Sequence, residues 1–197
     1  MKGELFMGFF KEINCANCGE ETSFLTRTKI ANGEEYLCSN CSSNVPKLFS
    51  KSLKVCSLDD YKYILEYMTG QEELKNKFND TLTYHDFHVD TENKLFYVQR
   101  GLFEKPIYFK LENLSFIDFE FIPEEVKEGI FGDKVKGDVK ITISIDKPCC
   151  FFEAKIATGV KAPAHKRFLQ NKYDFEYPEK LTEFLEAFNL VYQAKNL

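Results

Sequence analysis

The sequence predicts an α+β protein built from three consecutive parts. Residues 1–50 form a small module around two closely spaced pairs of cysteines, residues 57–79 form a helical connector, and residues 84–197 form an antiparallel β-rich barrel or sandwich with a closing helix. Two changes of pattern support this division. Apolar residues recur about every 3.6 positions in the connector and near the C-terminus, as on one face of a helix, and every second position between them, as in strands.

Four cysteines near the N-terminus have the spacing of a metal site. Cys15 and Cys18 form one Cys-x-x-Cys pair, Cys38 and Cys41 form a second, and 19 residues lie between the pairs. Two thiolates on one tight turn can both reach a Zn²⁺ ion at about 2.3 Å, and two such turns complete a tetrahedron. Gly19 follows the first pair and can adopt the positive φ that such a turn often requires. The sequence therefore predicts one structural Zn²⁺ held by these four cysteines, with no open position for a substrate.

Two other interpretations apply to the same cysteines. A Cys-x-x-Cys pair can be a thioredoxin-like redox motif, but no βαβ pattern surrounds either pair here. The four residues could also be unliganded core cysteines, although two pairs at zinc spacing rarely occur together by chance. Zinc binding is the favoured interpretation.

The residues around the cysteines indicate a treble-clef or ribbon zinc finger. The β-prone residues 24–30 and 35–37 flank an Asn-Gly dipeptide, which is a strong hairpin-turn signal. After the last cysteine, polar residues before Pro46 indicate a short helix through Phe49. The predicted order is thus a cysteine turn, a hairpin, a second cysteine turn and a helix.

The helical connector is predicted to begin at Ser57, with an acid at the third helical position that completes a variant of the capping box. Gly70 either kinks the helix or separates it from a second one that carries Leu74 and Phe78. One apolar stripe defines the first helical face. This stripe consists of Leu58, Tyr61, Ile64, Leu65 and Met68.

The β-rich part begins beyond Asp80, where the apolar period changes to two. Strands that follow one another without helices between them favour antiparallel pairing over βαβ units. The segment from Val139 to Ile145 alternates most clearly, as expected of a strand with one solvated face. The predicted strands are His85–Val89, Leu95–Val98, Ile107–Leu111, Phe116–Ile122, Val139–Ile145 and Cys150–Ile156, with a polar turn at residues 90–94.

A last helix is predicted to start at Pro178, because proline is well placed at the first helical position. The 21 residues from Ala157 to Tyr177 separate this helix from the last predicted strand. Its aromatic stripe must be buried against the sheet. The stripe consists of Leu181, Phe184, Leu185, Phe188 and Val191.

Composition limits the classes of function. Of the 197 residues, 44% are hydrophobic and 29% are charged, which is the balance of a globular protein. A formal net charge of −5 argues against a nucleic-acid coat protein with a large phosphate footprint. The N-terminal segment lacks the features of a signal peptide, no run of 18 apolar residues occurs, and the seven cysteines are odd in number. A reducing, cytoplasmic compartment is therefore expected.

One short segment could carry acid–base or metal chemistry. On a strand, Asp86, His88 and Asp90 would share one face, and His85 would lie on the other. One histidine with two acids on an exposed face is more typical of a solvated strand surface than of a catalytic site. We therefore assign no catalytic residue to this segment.

Two further groups carry reactive or charged side chains. Cys149 and Cys150, together with His165, could supply a thiol nucleophile, but cysteine is more often a small buried apolar residue. A local basic cluster could contact an anionic ligand or form an ordinary charged loop. The cluster consists of Lys161, His165, Lys166 and Arg167.

The segment from Cys15 to Asn44 resembles a small bacterial zinc-finger domain of unknown function that is frequent in Firmicutes and their phages. The resemblance rests on both Cys-x-x-Cys pairs and on the hairpin at residues 29–37 between them. In such proteins a helix with an acidic start often follows, as at residues 58–78 here, and then a β-rich module that looks like a pleckstrin-homology-like (PH-like) domain. The resemblance implies a bound zinc ion and no known reaction.

These observations predict a non-enzymatic adaptor, a zinc finger fused to a β-rich domain that binds protein or peptide, because no catalytic constellation is found. The second hypothesis is a nucleic-acid-associated protein with Arg27 and Lys29 against phosphates. Seven basic and six acidic residues over residues 1–56 weigh against it. A membrane-surface module that uses the Lys161–Arg167 cluster is third, and an enzyme is fourth.

Overall fold

The chain divides into two compact units in a computed structural model. The first unit comprises Met1–Gly70 with Asp146–Phe152, and the second comprises Gln71–Ile145 with Glu153–Leu197. Helices and small sheets are mixed, as predicted for an α+β protein. No helix in the described part of the chain is long and apolar enough to cross a membrane. The residues that the structure describes are 13–23, 25–101, 103–127, 133–166 and 173–193.

Two antiparallel hairpins form the cysteine-bearing part of the first unit. The second hairpin turns at Asn32 and Gly33, whose φ angles of 56° and 93° lie in the left-handed region that these two residue types tolerate best. The sequence predicted this hairpin, but its first strand starts only at Thr28, and residue 24 lies outside the described residues. The strands are β1 (Ile13–Asn14), β2 (Glu21–Thr22), β3 (Thr28–Ile30) and β4 (Glu35–Leu37).

The first helix begins earlier than the sequence predicted. Helix α1 (Ser39–Ser43) starts directly after Cys38, whose sulfur accepts a hydrogen bond from the backbone N–H of Cys41 and so takes the place of a polar N-cap side chain. The helix expected after Pro46 is only a short 3₁₀ turn, Lys47–Phe49. The prediction was wrong about the start because a cysteine is not an ordinary capping residue.

Helix α2 (Leu58–Thr69) begins with the predicted capping box. The backbone N–H of Asp60 donates to Ser57 Oγ at 3.1 Å, and the backbone N–H of Ser57 donates to Asp60 Oδ2 at 2.9 Å. Tyr61 and Ile64 from the predicted stripe are fully buried. Helix α2 ends before Gly70, and a separate helix α3 (Gln71–Lys77) follows, so two short helices form rather than one kinked helix.

The second unit contains two four-stranded sheets, with strand orders β5-β6-β7-β8 and β12-β11-β10-β9. The pairings of β5 with β6, β6 with β7, β7 with β8, β9 with β10 and β11 with β12 are antiparallel. Within the described residues neither sheet closes into a barrel, so the PH-like barrel is not confirmed. The strands are β5 (Leu82–Tyr84), β6 (Phe87–Asp90), β7 (Leu95–Val98), β8 (Phe109–Lys110), β9 (Leu114–Lys127), β10 (Asp133–Ile145), β11 (Cys150–Lys166) and β12 (Tyr173–Phe175).

Several strand boundaries differ from the predictions. His85 and Asp86 form the turn between β5 and β6, because His85 takes a φ of 49°, which a strand does not allow. The predicted strand Ile107–Leu111 shrinks to the two residues of β8, since a 3₁₀ turn begins at Leu111. Strand β11 extends ten residues past the predicted end at Ile156 and pairs with β10 and β12 in the sheet.

An aromatic core joins the C-terminal helix α4 (Glu179–Gln193) to the first sheet of the second unit. The rings of Phe184 and Phe188 lie 5.7 and 5.6 Å from the ring of Phe87, both edge to face, which is a favourable geometry for aromatic pairs. Leu181, Phe184 and Phe188 of the predicted stripe are buried, whereas Leu185 and Val191 are half-buried, so its predicted burial is confirmed for three of its five residues. Pro178 precedes the helix, and its carbonyl accepts the first hydrogen bonds, from Leu181 and Thr182.

Candidate metal centre

The four cysteines predicted as metal ligands come together in the first unit. The Sγ atoms of Cys15, Cys18, Cys38 and Cys41 all lie within 4.8 Å of one another, and those of Cys18 and Cys38 are 3.7 Å apart. Four sulfurs at about 2.3 Å from a tetrahedral Zn²⁺ are about 3.8 Å from one another. The separations are thus those of sulfurs that can share one ion.

Backbone hydrogen bonds shape the first cysteine turn. The N–H of Cys15 donates to the carbonyl of Glu20 at 2.8 Å, and the N–H of Gly19 donates to the carbonyl of Cys15 at 2.9 Å. Gly19 adopts a φ of 76°, as the sequence predicted for the turn. The N–H of Ala16 donates to the carbonyl of Tyr36 at 2.8 Å, which fixes this turn to strand β4.

The second cysteine pair is held by the start of α1 and by helix α2. The N–H of Cys41 donates to Cys38 Sγ at 3.4 Å, and Asn17 Nδ2 donates to Cys41 Sγ at 3.3 Å. Tyr61, on α2, donates its hydroxyl hydrogen to the carbonyl of Cys41 at 2.9 Å inside the core. The hydrogen bonds to the two sulfurs, and the buried one from the Tyr61 hydroxyl to the Cys41 carbonyl, therefore hold the second pair in place.

The electrostatics of the cluster favour a cation. Cys15, Cys38 and Cys41 are between 2% and 7% exposed, whereas Cys18 is exposed. Burial raises the pKa of Cys15, but hydrogen bonds from the backbone of Cys18, Cys38 and Asn17 outweigh burial and lower that pKa to about 6. A backbone hydrogen bond at Glu20 lowers the pKa of Cys18, but desolvation and the neighbouring thiols raise it to about 12. Adjacent thiolates repel one another, so all four ionise together only with a cation between them.

The predicted histidine and acid group on strand β6 assembles differently from the prediction. His88 Nδ1 lies 2.7 Å from Asp80 Oδ2, and the His88 ring stacks on Tyr97 with 4.4 Å between ring centroids. Asp86 lies in the exposed turn before the strand. Sequence reasoning missed Asp80 as the partner, because it lies before β5 and meets His88 only through the register that pairs Thr83 with His88.

Asp90, the other acid of that group, has a structural role. Its side chain is fully buried, and its two oxygens accept hydrogen bonds from the backbone N–H groups of Asn79, Glu92 and Asn93. Asn93 Nδ2 donates a further one at 2.8 Å. The carboxylate therefore closes the turn after β6 and is saturated by these donors.

The two other predicted groups, the cysteines with His165 and the basic cluster, lie only partly within the described residues. Cys149 is half-buried and Cys150 is buried, both in the first unit, where Cys56 lies beside Cys149. Lys161 is exposed on β11. The side chains of His165 and Lys166, and the whole of Arg167, lie outside the described residues, so neither the thiol–histidine pair nor the basic cluster is tested.

Residues 13–63 match a family model described as a domain of unknown function (DUF4428). The match includes all four clustered cysteines, both hairpins and the first half of α2. No curated protein and no solved structure matches the chain. The finding agrees with the predicted resemblance of the cysteine-bearing segment to a domain of unknown function, and it does not extend to the second unit.

Proposed function

We propose that this chain is a non-enzymatic binding protein whose cysteine-bearing module is organised by one structural Zn²⁺. The observation that carries the proposal is the convergence of four sulfurs from two Cys-x-x-Cys turns within 4.8 Å. Cys15, Cys18, Cys38 and Cys41 would be the ligands. The match to a domain of unknown function over the same residues supports treating this segment as one structural unit.

Zinc fits the donor set better than the hard cations do. Thiolates are soft ligands, which select Zn²⁺ or iron, whereas Mg²⁺ and Ca²⁺ take oxygen ligands. Four thiolates also fill the tetrahedral shell that Zn²⁺ prefers and leave no position for a substrate or an activated water. A closed shell of this kind supports a structural rather than a catalytic ion.

A structural ion also suits the small size of the module. Its β-hairpins are only two or three residues long on each side, and isolated hairpins of this kind are marginally stable in water. Binding of Zn²⁺ to a four-cysteine site supplies about 10 kcal/mol or more of free energy that is otherwise missing from such modules. Metal binding and folding of the module are therefore one process in this proposal.

Elemental analysis tests the metal directly. Protein purified without added metal should contain close to one equivalent of zinc. Cys41→Ser should lose most of it, whereas Cys150→Ser, a buried cysteine outside the cluster, should retain it. Iron in place of zinc, or no metal with all four thiols freely titratable, would contradict the proposal.

The free thiols support a reducing compartment. All seven cysteines are free in the structure, and none of them forms a disulfide bond. Proteins of secretory compartments usually pair their cysteines, whereas glutathione and thioredoxin keep cytosolic thiols reduced. We propose a cytoplasmic location, where free thiols persist.

The exposed face of strand β9 supports a protein or peptide partner rather than nucleic acid. Phe116 and Ile122 are 50% and 38% exposed and flank the exposed acids Asp118 and Glu120 on the same face of the strand. On the neighbouring strand, Lys140 lies opposite Glu120. This face thus carries mixed charge and apolar side chains, which suit a protein surface, and not the basic stripe that phosphates require.

The finger hairpin gives little support to the nucleic-acid alternative. The guanidinium carbon of Arg27 lies 4.4 Å from the centre of the Tyr36 ring, so this side chain already takes part in a cation–π contact. Random-sequence DNA and RNA should therefore bind negligibly at physiological salt. Tight binding that weakens steeply with added salt would replace the proposal with the nucleic-acid alternative.

A comparison of two variants tests the protein-binding role. Affinity capture from nuclease-treated lysate should recover a protein partner with the wild type, and the double variant Phe116→Ser, Ile122→Ser should lose it. Thr142→Ser, on the same sheet opposite Asp118, is the matched control and should retain the partner. A partner recovered equally by all three proteins would show that β9 is not the binding face.

A further inference from the structure

Three cysteines of the first unit lie outside the metal cluster and close to one another in the fold. Cys56 and Cys150 are buried, with exposed fractions of 0% and 1%, whereas Cys149 is half-buried and reaches the surface. Cys56 Sγ lies 3.9 Å from the carbonyl oxygen of Cys149, although 93 positions separate the two residues in the chain. A buried thiol and an accessible thiol therefore form a pair.

Ser52 fixes the two segments that carry this pair. Its hydroxyl oxygen accepts a hydrogen bond from the backbone N–H of Phe151 at 2.7 Å, and its carbonyl accepts one from the N–H of Cys56 at 3.0 Å. Ser52 is itself only 2% exposed. Because one buried residue holds both the Cys56 segment and the chain that follows Cys149, the folded core keeps Cys56 and Cys149 beside each other.

The surroundings of Cys149 and Cys56 shift the pKa values of their two thiols in opposite directions. The neighbouring Cys56 thiol lowers the pKa of Cys149 to about 7, against the opposing effects of burial and of the negative charges of Asp60 and Asp146. The neighbouring Cys149 thiol, together with burial, raises the pKa of Cys56. Near neutral pH, Cys149 is thus the group that ionises and Cys56 the group that keeps its proton. Thiolates are the reactive form of cysteine.

We propose that Cys149 is a modification site for hydroperoxides and that Cys56 is the thiol that resolves it. The Cys149 thiolate attacks the outer oxygen of a hydroperoxide, the O–O bond breaks, and the products are a sulfenic acid on Cys149 and an alcohol or water after proton uptake. The Cys56 sulfur then attacks the Cys149 sulfur, the S–O bond breaks, and water leaves with the Cys56 proton. In total two thiols are oxidised to one disulfide, and one hydroperoxide is reduced by two electrons.

Cys150 is a poorer resolving partner than Cys56. Adjacent residues joined by a trans peptide have Cα atoms about 3.8 Å apart, which is shorter than the about 4.4–6.8 Å found across ordinary disulfides. The only cis peptide in the described part of the chain is at Lys147–Pro148, so the bond between Cys149 and Cys150 is trans. The structure therefore favours the long-range pair over the adjacent one.

Peptide mapping under non-reducing conditions tests this proposal on the full chain. After brief exposure to one equivalent of hydrogen peroxide, the wild type should yield a peptide linked through Cys56 and Cys149. Cys150→Ser should yield the same link. Cys56→Ser and Cys56→Ala should yield no link but a Cys149 sulfenic acid that a carbon nucleophile such as dimedone traps, and Cys149→Ser should yield neither product.

A rate measurement adds a readout that does not depend on the disulfide. The neighbouring Cys56 thiol raises the thiolate fraction of Cys149 near pH 7, while the lower pKa makes each thiolate less nucleophilic. The two effects together predict that Cys56→Ala slows alkylation of Cys149 by iodoacetamide about fivefold. Circular dichroism of each variant establishes that the fold is intact.

Three results would overturn the proposal. The first is a Cys149–Cys150 or metal-cluster disulfide in place of the Cys56 link in the wild type. The second is Cys149 reactivity with peroxide no greater than that of the urea-unfolded chain. The third is an alkylation rate of Cys149 that Cys56→Ala leaves unchanged. Zinc content, measured on the same samples, is independent of these readouts, so failure of the metal proposal and failure of this one are distinguishable.

Discussion

At the scale of single residues, two buried tyrosines differ in what their hydroxyl groups contact. Tyr61 is fully buried and donates a hydrogen bond to the carbonyl of Cys41 at 2.9 Å. Tyr84 is 5% exposed, and its hydroxyl has no hydrogen-bond partner in the described structure. Burial of an unpaired hydroxyl costs free energy, whereas a paired one contributes about 1 kcal/mol. The two side chains therefore make opposite contributions from the same chemical group.

Removal of each hydroxyl should have opposite effects on stability. Tyr61→Phe should lower the free energy of unfolding of the first unit by about 1–2 kcal/mol, because the Cys41 carbonyl is left without its donor. Tyr84→Phe should leave the stability of the second unit unchanged or raise it by about 1 kcal/mol, because the hydroxyl no longer has to be desolvated. Urea unfolding of the metal-loaded protein measures both, and each variant is the control for the other. An equal loss in the two variants would contradict the assignment.

At the scale of single elements, the turn after β6 depends on one carboxylate. Asp90 accepts hydrogen bonds from three backbone N–H groups and from the Asn93 side chain. Burial raises the pKa of Asp90, but the hydrogen bonds at Asn93, Asn79 and Glu92 outweigh it, so the pKa lies below its ordinary value of 3.8. The ionised carboxylate is thus the form that the folded state stabilises.

Asp90→Asn should destabilise the second unit by about 2 kcal/mol at neutral pH, because the amide NH₂ would face a donor where an oxygen now accepts. The folded pKa is lower than the unfolded one, so the contribution of Asp90 is complete above pH 3.8 and is lost as pH falls through the folded pKa. The stability difference between the two proteins should therefore shrink below pH 3.8. Asp86→Asn, at an exposed position, should change stability by less than about 0.5 kcal/mol. A difference that stays constant down to pH 2 would contradict this account.

The same elements show which features of this protein can be predicted from its sequence. The Cys-x-x-Cys turns and the Ser57 capping box were predicted correctly, because residues three positions apart create each of them. The partner of Cys56 was not, since it lies 93 residues away. Asp90 was interpreted as part of an exposed face because strand alternation does not reveal which side chains are used to close a turn.

At the scale of the whole molecule, one compact unit is assembled from distant parts of the chain. The first unit includes Asp146–Phe152 in addition to Met1–Gly70. The hydrogen bond from Phe151 to Ser52 and the contact between Cys149 and Cys56 hold this segment there. A local sequence pattern cannot predict this arrangement, because the pattern of a seven-residue turn and strand does not indicate which distant part of the chain the segment contacts. The predicted three-part division at residues 50, 57–79 and 84 stays a prediction.

Metal removal should unfold the first unit and leave the second one folded. The candidate ligands all belong to the first unit, whose helix α2 is tied to the cluster by the Tyr61–Cys41 hydrogen bond. The second unit has a core of its own, in which Phe87, Phe119 and Phe184 meet edge to face. A small module without its ion cannot bury enough surface to stay folded, whereas an aromatic core does not depend on the ion.

Hydrogen exchange in the presence of a strong chelator and a reductant measures both units in one sample. Amides of α2 should lose protection to the level of the unfolded chain, while amides of β6, β7 and α4 should keep theirs. Cys41→Ser should show the same pattern without chelator, and restoring zinc should return protection in the wild type alone. The reductant keeps Cys56 and Cys149 unlinked, so a disulfide cannot hold the first unit together. Loss of protection in β6 and α4 together with α2 would show that the two units unfold as one, and retained protection in α2 would show that no metal stabilises it.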